Sequence, residues 1–347
     1  MIAQVPKAGV GNAAGRMLVR GLGRALRALA MLYCLGLVIL AALWLAGIQG
    51  IGLLDLANIF ALYLFAPLVL IAPLAWLVRA RWLRAAAVLA LLAGVALFGP
   101  LLIPPSVRTT SGAPLRVATV NLHYELAAAQ LPGLLGVIRA QRADVVLLQE
   151  LSPSAADLIR RELSADYPHQ ALEPSTSFDG LGVLSRYAIE TLPHTEPLAA
   201  QLLRVRMPAA DVMLMNVSLA SPEVKRRRLP LVGWVPGMRY DVGKRSRDID
   251  RLLREVAALD GPLVIAGDFN MSDRERDYQR MAARLHDTYR ETNWGLGATF
   301  PNRPPFPLIR IDYVWGSGPA VPAATQVICG GASDHCMLVA DMQVGAT

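Results

Sequence analysis

The segment from residue 263 to residue 270 reads Leu-Val-Ile-Ala-Gly-Asp-Phe-Asn. Its first four residues form an apolar run with the length of one buried strand. Gly267 then permits a sharp backbone turn, because glycine has no Cβ to restrict its dihedral angles. Asp268 and Asn270 follow at the end of the strand, where a rigid sheet would hold their side chains in place. Because Asp-x-Asn after a strand is also a common turn, the interpretation depends on the other segments.

Several other predicted strands end in polar residues. The residues at or just after these strand ends are Asn121, Glu150, Asp268 with Asn270, and Asp334 with His335. Asp312 lies inside a further predicted strand, residues 309–315. A charged group in a buried strand is costly unless it is paired or bound to a metal ion. Several such groups at equivalent positions predict one shared site that binds a divalent cation.

Phosphoester hydrolysis is the chemistry that fits these side chains. A hard cation such as Mg²⁺ prefers carboxylate and amide oxygens, and Mn²⁺ accepts similar ligands. Such an ion neutralises a phosphate and stabilises the leaving oxygen. Asp268 is suited to position or deprotonate the attacking water. His335, held by Asp312, is suited to exchange a proton with the phosphoryl oxygens.

From Leu115 onward the chain resembles the endonuclease/exonuclease/phosphatase superfamily, whose members have the DNase I-like fold. Each of the motifs that carry the resemblance is short, but together, in the family's order and spacing, they are specific. The six motifs are Thr-Val-Asn at 119–121, Leu-Leu-Gln-Glu at 147–150, Gly-Val-Leu-Ser-Arg at 182–186, Gly-Asp-Phe-Asn at 267–270, Arg-Ile-Asp-Tyr at 310–313 and Ser-Asp-His at 333–335.

The resemblance implies an α/β fold of four layers, with two packed β-sheets flanked by helices. It also implies the role of each site residue. The implied metal ligand is Glu150, with Asn121 and Asp334 nearby. The implied catalytic residues are Asp268, which positions the water, Asn270, which contacts the phosphate, and His335, which Asp312 orients. The implied substrate-binding residues are Asn216, Ser218 and Arg186.

One residue departs from the family pattern. Ser218 stands where DNase I-like and sphingomyelinase-like members usually have a histidine that binds phosphate. A hydroxyl group can donate a hydrogen bond to a phosphate but carries no positive charge. His123 and the basic run Lys225–Arg228 are candidates to supply that charge, and a surface role remains open for both. The departure also keeps open an inactive relative that acts as a phosphate- or lipid-binding scaffold.

The first third of the chain predicts a membrane anchor. Each of three apolar segments is near the roughly 20 residues that a helix needs to cross a bilayer. A cleaved signal peptide fits the first segment poorly because two more follow, and a soluble bundle fits poorly because the segments are apolar on every face. The predicted division is a basic N-terminus at 1–27, membrane helices at about 28–49, 56–78 and 85–103, a linker at 104–114 and a catalytic domain at 115–347.

Basic residues predict the orientation of these helices. Arginines precede the first apolar segment and follow the second, whereas residues 49–55 contain no Lys or Arg. Because loops rich in Lys and Arg stay in the cytoplasm, the catalytic domain is expected on the outer side of the cytoplasmic membrane. There Cys329 and Cys336 would be able to pair, although free thiols remain an alternative.

The expected partners follow from the charge and the anchor. The formal net charge of +7 suits anionic surroundings, either lipid headgroups or nucleic acid. The apolar segment 229–238 next to the basic run predicts a loop near the bilayer, or one folded over the core. Nothing in the sequence indicates a protein partner. A transporter would need polar groups inside the membrane helices, and only Asp55 and Asn58 come close.

Overall fold

The computed structural model describes residues 10–106, 111–230, 233–303 and 305–345, without the side chains of 10–14, 225–229 and 233–239. Contacts divide the chain into two compact units. The first unit is Met1–Gln49 with Phe60–Pro100, and the second is Gly50–Ile59 with Leu101–Thr347. The short segment Gly50–Ile59 therefore packs with the large C-terminal unit, although it lies between two apolar segments in the sequence.

From residue 10 to residue 102, the described part of the chain contains five α-helices and ends in a short 3-10 helix, Gly99–Leu102. They are α1 (Val10–Leu45), α2 (Gly52–Ile59), α3 (Ala61–Phe65), α4 (Leu68–Leu77) and α5 (Arg81–Phe98). Within the described residues, Gly15–Leu45 and Arg81–Leu102 are long and apolar enough to cross a membrane, and a third candidate exists if Gly52–Ile59 and Ala61–Leu77 form one bent span.

The first two predicted membrane helices differ in extent from the observed ones. Helix α1 begins at Val10, so much of the basic N-terminal segment is helical. The predicted helix at 56–78 is broken into α2, α3 and α4. Pro67 marks the second break, because proline has no N–H for the preceding turn and is tolerated mainly where a helix starts.

Besides α2, the described residues of the second unit form two six-stranded sheets, a two-stranded hairpin and five further α-helices. The strands are β1 (Ala113–Asn121), β2 (Val145–Gln149), β3 (His169–Glu173), β4 (Leu181–Ser185), β5 (Ala188–Leu192), β6 (Ala200–Arg206), β7 (Asp211–Ser218), β8 (Glu223–Leu229), β9 (Gly233–Asp241), β10 (Leu263–Asp268), β11 (His286–Asp287), β12 (Asp312–Gly316), β13 (Ala320–Ile328) and β14 (Met337–Val344). The helices are α6 (Leu131–Ala140), α7 (Pro153–Glu162), α8 (Gly243–Ala258), α9 (Arg276–Ala282) and α10 (Thr288–Thr292).

The two sheets pack face to face, as the sequence predicts. The strand orders are β13-β14-β1-β2-β4-β3 and β11-β12-β10-β7-β6-β5. Apolar side chains such as Val117 and Leu147 from the first sheet and Leu214 and Val264 from the second fill the space between them. Helices α6 and α7 cover the outer face of the first sheet, and α8 and α9 cover that of the second. The result is the expected four-layer α/β sandwich.

The strands that the sequence did not predict lack a strong apolar pattern. The edge strands β3 and β5 contain no fully buried residue, so their side chains leave little periodicity to detect. The apolar segment 229–238 is part of the hairpin β8–β9 rather than a loop without regular structure. Its residues Leu231 and Val232, and most of its side chains, lie outside what the structure describes.

Candidate active site

Strand register brings the predicted polar residues to one end of the sandwich, which we call the site edge. In the first sheet, β1 and β2 are parallel and Asn121 lies opposite Gln149, the residue before Glu150. In the second sheet, Asp268 lies opposite Ser218 in a parallel pair and opposite Asp312 in an antiparallel pair. Parallel strands end at the same side of a sheet. Residues that are far apart in the sequence therefore lie close together at this edge.

Strand β10 ends in a backbone conformation that requires glycine at position 267. Its φ of 146° lies in a region that residues with a Cβ rarely adopt, and a Cβ there would stand 1.9 Å from the Val217 carbonyl oxygen. The close approach of β10 and β7 therefore requires glycine at the position that precedes Asp268.

Asp268 is almost fully buried and is held by several hydrogen bonds. Its Oδ1 accepts from the Asn270 backbone N–H at 2.8 Å, and its Oδ2 accepts from Asn121 Nδ2 at 3.1 Å and Asn270 Nδ2 at 3.2 Å. Burial raises the pKa of Asp268 to about 7, and the nearby Asp312 adds to this rise while His335 opposes it. A carboxylate with a pKa near neutrality is well suited to take a proton from water.

His335 and Asp312 form a buried pair beside Asp268. His335 Nδ1–H donates to the Asp312 carboxylate, with distances of 3.0 and 3.1 Å to its two oxygens. Burial would lower the pKa of His335, but the attraction of Asp312 and Asp268 outweighs it and raises that pKa to about 10. The other ring nitrogen, Nε2, lies 3.9 Å from Asp268 Oδ2. Among the described residues Nε2 has no hydrogen-bond partner, so its proton is available to a substrate.

Glu150 shares the amide of Asn121 with Asp268. Asn121 Nδ2 donates to Glu150 Oε1 at 3.0 Å, and the Tyr124 backbone N–H donates to Glu150 Oε2 at 3.1 Å. No described Lys, Arg or His side chain pairs with Glu150. Asp334, which is one quarter exposed, lies 3.9 Å from His123 Nδ1 and completes the acidic group at this edge.

Unusual backbone conformations concentrate at the site edge. Five non-glycine residues in the described chain have positive φ, and three of them, His123 (60°), Glu150 (53°) and Asn270 (48°), are here. Each such conformation costs roughly 1–3 kcal/mol and persists only where surrounding contacts impose it. Their concentration at the predicted site residues supports a functional origin for the strain.

The charges at the site edge fit a divalent cation. Four carboxylates, those of Glu150, Asp268, Asp312 and Asp334, meet here, and among the described residues His335 is the one buried cation that pairs with any of them. Hard oxygen donors in such excess suit Mg²⁺ or Mn²⁺.

A different group also has the spacing of a metal site. Asp268, Asp312 and His335 present ligand atoms within 4.8 Å of one another. However, Nδ1 of His335 is already bonded to Asp312, and a protonated ring cannot ligate a metal through Nε2. The bond between His335 and Asp312 favours a proton-transfer role for this ring, and the oxygens of Glu150 and Asp334 remain as further donors for a metal ion.

The structure does not bring all predicted site residues together. Arg186 lies beside Asp144 at the opposite end of β2, where its backbone N–H bonds the Asp144 carbonyl and its side chain is 3.7 Å from the carboxylate. It is separated from the site edge because β4 runs antiparallel to β2. Asn216 is fully buried between the sheets, where it accepts from Gln149 and donates to the Leu148 carbonyl. Ser218 does lie at the site edge, half-buried and opposite Asp268.

Asn270 makes more internal bonds than its predicted role requires. Its Nδ2 donates to the Leu219 carbonyl at 2.9 Å as well as to Asp268, and its Oδ1 accepts from Ser221. In this arrangement the amide fixes the Asp268 carboxylate.

Sequence reasoning missed two residues that support the site. Arg245 of α8 donates to the Asn270 backbone carbonyl, and the ring of Phe300 packs on the His335 ring with centroids 4.9 Å apart. Arg245 gives a weak signal, since a basic residue on an amphipathic helix is normally solvated. Phe300 gives none, because its contact depends on a loop conformation.

Comparison with known proteins agrees with this fold. The chain belongs to the Endonuclease/Exonuclease/phosphatase family, whose sequence profile matches residues 118–335. Members of this family are generally phosphoester hydrolases, and they commonly use divalent metal ions. No curated protein matches the chain.

Solved structures show the same fold at low sequence identity. An endonuclease/exonuclease/phosphatase from Bacteroides vulgatus is 15% identical, with a TM-score of 0.52 and coverage of 67% of this chain and 99% of that one. D. rerio TDP2 complexed with a single-strand DNA product is 17% identical, with a TM-score of 0.51 and coverage of 67% and 100%. A family protein from Beutenbergia cavernae is 24% identical, with a TM-score of 0.46 and coverage of 67% and 72%. The family match and the two structures with TM-scores above 0.5 show that residues 118–335 have the DNase I-like fold.

Proposed function

We propose that this chain is a divalent-metal-dependent phosphoester hydrolase that is anchored in a membrane. The observation that carries the proposal is the buried group formed by Asp268, Asp312 and His335, at the same edge as Glu150 and Asn121. A scaffold has no physical need for so many buried charges, because each is costly without a ligand or a reaction.

Asp268 and His335 carry out the two proton transfers of the reaction, one as the proton acceptor and the other as the proton donor. Asp268 accepts a proton from the attacking water, while Asn121 and Asn270 hold its carboxylate in place. His335 presents its Nε2 proton to an oxygen of the phosphoryl group, and Asp312 keeps that ring oriented and charged. Ser218 offers a hydroxyl group beside Asp268.

The acidic residues would hold the metal ion. Glu150, with Asn121 and Asp334 nearby, supplies oxygen donors for Mg²⁺ or Mn²⁺. When bound, the ion neutralises phosphate charge and stabilises the leaving oxygen.

The anchor and the disulfide support a location on the outer side of the cytoplasmic membrane. Two or three helices are apolar enough to cross a bilayer. Cys329 and Cys336 form a disulfide, and disulfides persist mainly in oxidising compartments. The location indicated by the disulfide agrees with the orientation predicted from the arginines, and the two arguments rest on different observations.

Hydrolysis by the full-length chain in detergent tests the proposal. We would use bis(p-nitrophenyl) phosphate with Mg²⁺, Mn²⁺ or EDTA. We expect turnover with either metal and none with EDTA. Metal-independent turnover, or no turnover together with no effect of metal on the melting temperature, would contradict the proposal and favour a scaffold.

Replacing Glu150 by glutamine is expected to weaken metal binding. Glutamine keeps the shape and can still accept from the Tyr124 N–H, but it loses the charge that attracts the cation. Loss of an outer partner of a metal ligand typically costs 10–100-fold in affinity, so loss of the ligand's charge should cost at least about that much. The Mg²⁺ dependence of the rate measures it. Glu125→Gln, an exposed neighbour, is the matched control and should leave that dependence unchanged.

The disulfide predicts the number of free thiols and the effect of reduction. The denatured chain should show one reactive thiol, that of Cys34, before reduction and three afterwards. Reduction should also lower turnover, because the disulfide closes the loop that carries Asp334 and His335. For a loop of this length the chain-entropy contribution is about 2.5 kcal/mol. Three thiols without reduction in protein purified from the membrane would argue against the oxidising location.

A further inference from the structure

We propose that the site edge docks on the surface of an anionic phospholipid bilayer, so that the substrate is a phosphodiester of a membrane lipid. This inference rests on the proposed function and adds the substrate class. In the reaction, the water oxygen bonds to phosphorus and the P–O bond to one alcohol breaks. That alcohol leaves with a proton, and a phosphomonoester remains.

Exposed apolar side chains concentrate around the site. Among the described residues from 111 onward, five large apolar side chains are exposed: Phe178 (60%), Val224 (49%), Trp294 (61%), Phe306 (54%) and Leu308 (36%). Four of them lie on segments that border the site edge. Exposed apolar groups gathered in one region mark a surface that contacts another molecule or a membrane.

Phe178 lies on the loop next to Glu150. This loop joins β3 to β4, and both of its ends bond Leu151, the residue that follows Glu150. The Ser175 N–H donates to the Leu151 carbonyl, and the Leu151 N–H donates to the Gly180 carbonyl, both at 2.9 Å. The loop that carries the exposed ring of Phe178 is therefore anchored beside Glu150.

Phe306 and Leu308 lie on the loop next to His335. Phe300 and Ile309 pair at the base of this loop, and Phe300 packs on the His335 ring. The Asn302 N–H also donates to the Asp334 carbonyl at 2.6 Å. The loop is thus attached to the segment that carries the predicted acid, with its apolar residues turned to solvent.

Val224 lies on the hairpin that follows Ser218. Ser221, just before the hairpin, bonds Asn270 at 3.2 Å, so the hairpin begins at the site edge. Strand β8 contains the four consecutive basic residues Lys225–Arg228. Basic residues next to apolar ones suit the boundary between anionic headgroups and acyl chains.

Two segments that adjoin the apolar helices in sequence pack near this edge. Helix α2, which follows α1 after six residues, lies against β9, with Cα atoms of the two elements within 8 Å. The Leu101 carbonyl, at the end of the last apolar segment, accepts from the Gly295 N–H. Both contacts lie on the side of the GDFN loop. Tyr240 of β9 bonds Glu275, which follows this loop. Arg290 bonds the Gly295 carbonyl and also pairs with Asp273, which follows the same loop. The chain therefore enters and leaves the second unit on that side.

Reconstituted full-length chain provides the first test. Vesicles of phosphatidylcholine with increasing phosphatidylglycerol supply a bilayer phosphodiester, and bis(p-nitrophenyl) phosphate supplies a soluble one. Phe178→Ser with Phe306→Ser should lower bilayer hydrolysis by about tenfold or more, since two apolar side chains no longer insert. It should leave soluble hydrolysis within about twofold, because neither ring belongs to the catalytic group.

Charge reversal tests the basic strand. Arg226→Glu with Arg228→Glu should abolish the increase of rate with phosphatidylglycerol content. The matched control is Arg160→Glu with Arg161→Glu, at the end of α7, and should keep that increase.

Three results would overturn the inference. The first is hydrolysis of the soluble diester without hydrolysis of any bilayer lipid, which leaves the proposed function intact. The second is preferred hydrolysis of a single-stranded oligonucleotide that the Phe178 and Phe306 changes reduce, which would make the rings a stacking surface.

The third comes from a measurement independent of activity. A fluorescent label on Phe306→Cys, with Cys34→Ala, should be quenched by spin-labelled lipids, whereas a label on Arg160→Cys should not be. An unquenched label at 306 would overturn the docking even if no substrate is found. No turnover of any substrate, with a quenched label, would instead overturn the proposed function and the substrate assignment while the docking stands.

Discussion

Replacing Asp268 by asparagine is expected to lower turnover of a soluble phosphodiester by about 10²- to 10⁴-fold, the usual range for loss of a positioned acid or base. Asparagine has the same shape but cannot accept the proton of the attacking water. Its Oδ1 still accepts from the Asn270 backbone N–H. The effect on rate therefore comes from the lost carboxylate and not from a displaced loop.

The stability of this variant should change little, because two effects oppose each other. The new amide faces the Nδ2 groups of Asn121 and Asn270, so two hydrogen bonds are lost, at a cost of about 1–3 kcal/mol. At the same time a buried charge opposite Asp312 disappears, and like charges at directly opposite strand positions are destabilising.

Steady-state turnover and the melting temperature in detergent measure both effects. Asp157→Asn, at an exposed carboxylate on α7, is the matched control and should behave like the native chain. If Asp268→Asn keeps more than about a tenth of the native rate with its fold intact, Asp268 is not the base. The proton must then pass to another group.

The sequence predicted which residues the structure brings to the site edge because strand ends have a local signature. An apolar run followed by Asn121, Glu150 or Asp268 shows where a strand ends, and parallel pairing then brings these strand ends to the same edge of the sheet. Arg186 has the same signature at the end of β4. The sequence does not show that β4 runs antiparallel to β2, so the residue was placed at the wrong end of the sheet.

Contacts made by loops and helices were beyond prediction for a different reason. Phe300 reaches His335 only through the loop that ends at Ile309, and Arg245 reaches Asn270 only because α8 packs beside the GDFN loop. Neither contact leaves a periodic pattern. Helix α2 is a similar case, since hydropathy assigns it to a membrane helix whereas its packing assigns it to the second unit.

Replacing Arg245 by methionine is expected to destabilise the second unit by about 3–5 kcal/mol, the cost of leaving a buried ion pair without one partner. Arg245 is 1% exposed, bonds Glu275 and the Asn270 carbonyl, and lies 3.5 Å from Asp277. Methionine fills a similar volume without charge, so Glu275 loses the cation that pairs with it, whereas Asp277 keeps Arg280 at 3.1 Å. For a unit of this size the melting temperature should fall by about 10 °C or more.

The same change should also lower turnover at temperatures where the chain stays folded, because the Asn270 backbone loses the guanidinium that holds its carbonyl. Arg247→Met, at an exposed position on the same helix, is the matched control and should leave both measurements unchanged. Adding Glu275→Gln to Arg245→Met should restore part of the stability, since the buried carboxylate left without its cation is then removed. It should not restore turnover, because the bond to Asn270 is still missing. Recovery of both would make Arg245 a structural residue with no part in positioning the loop.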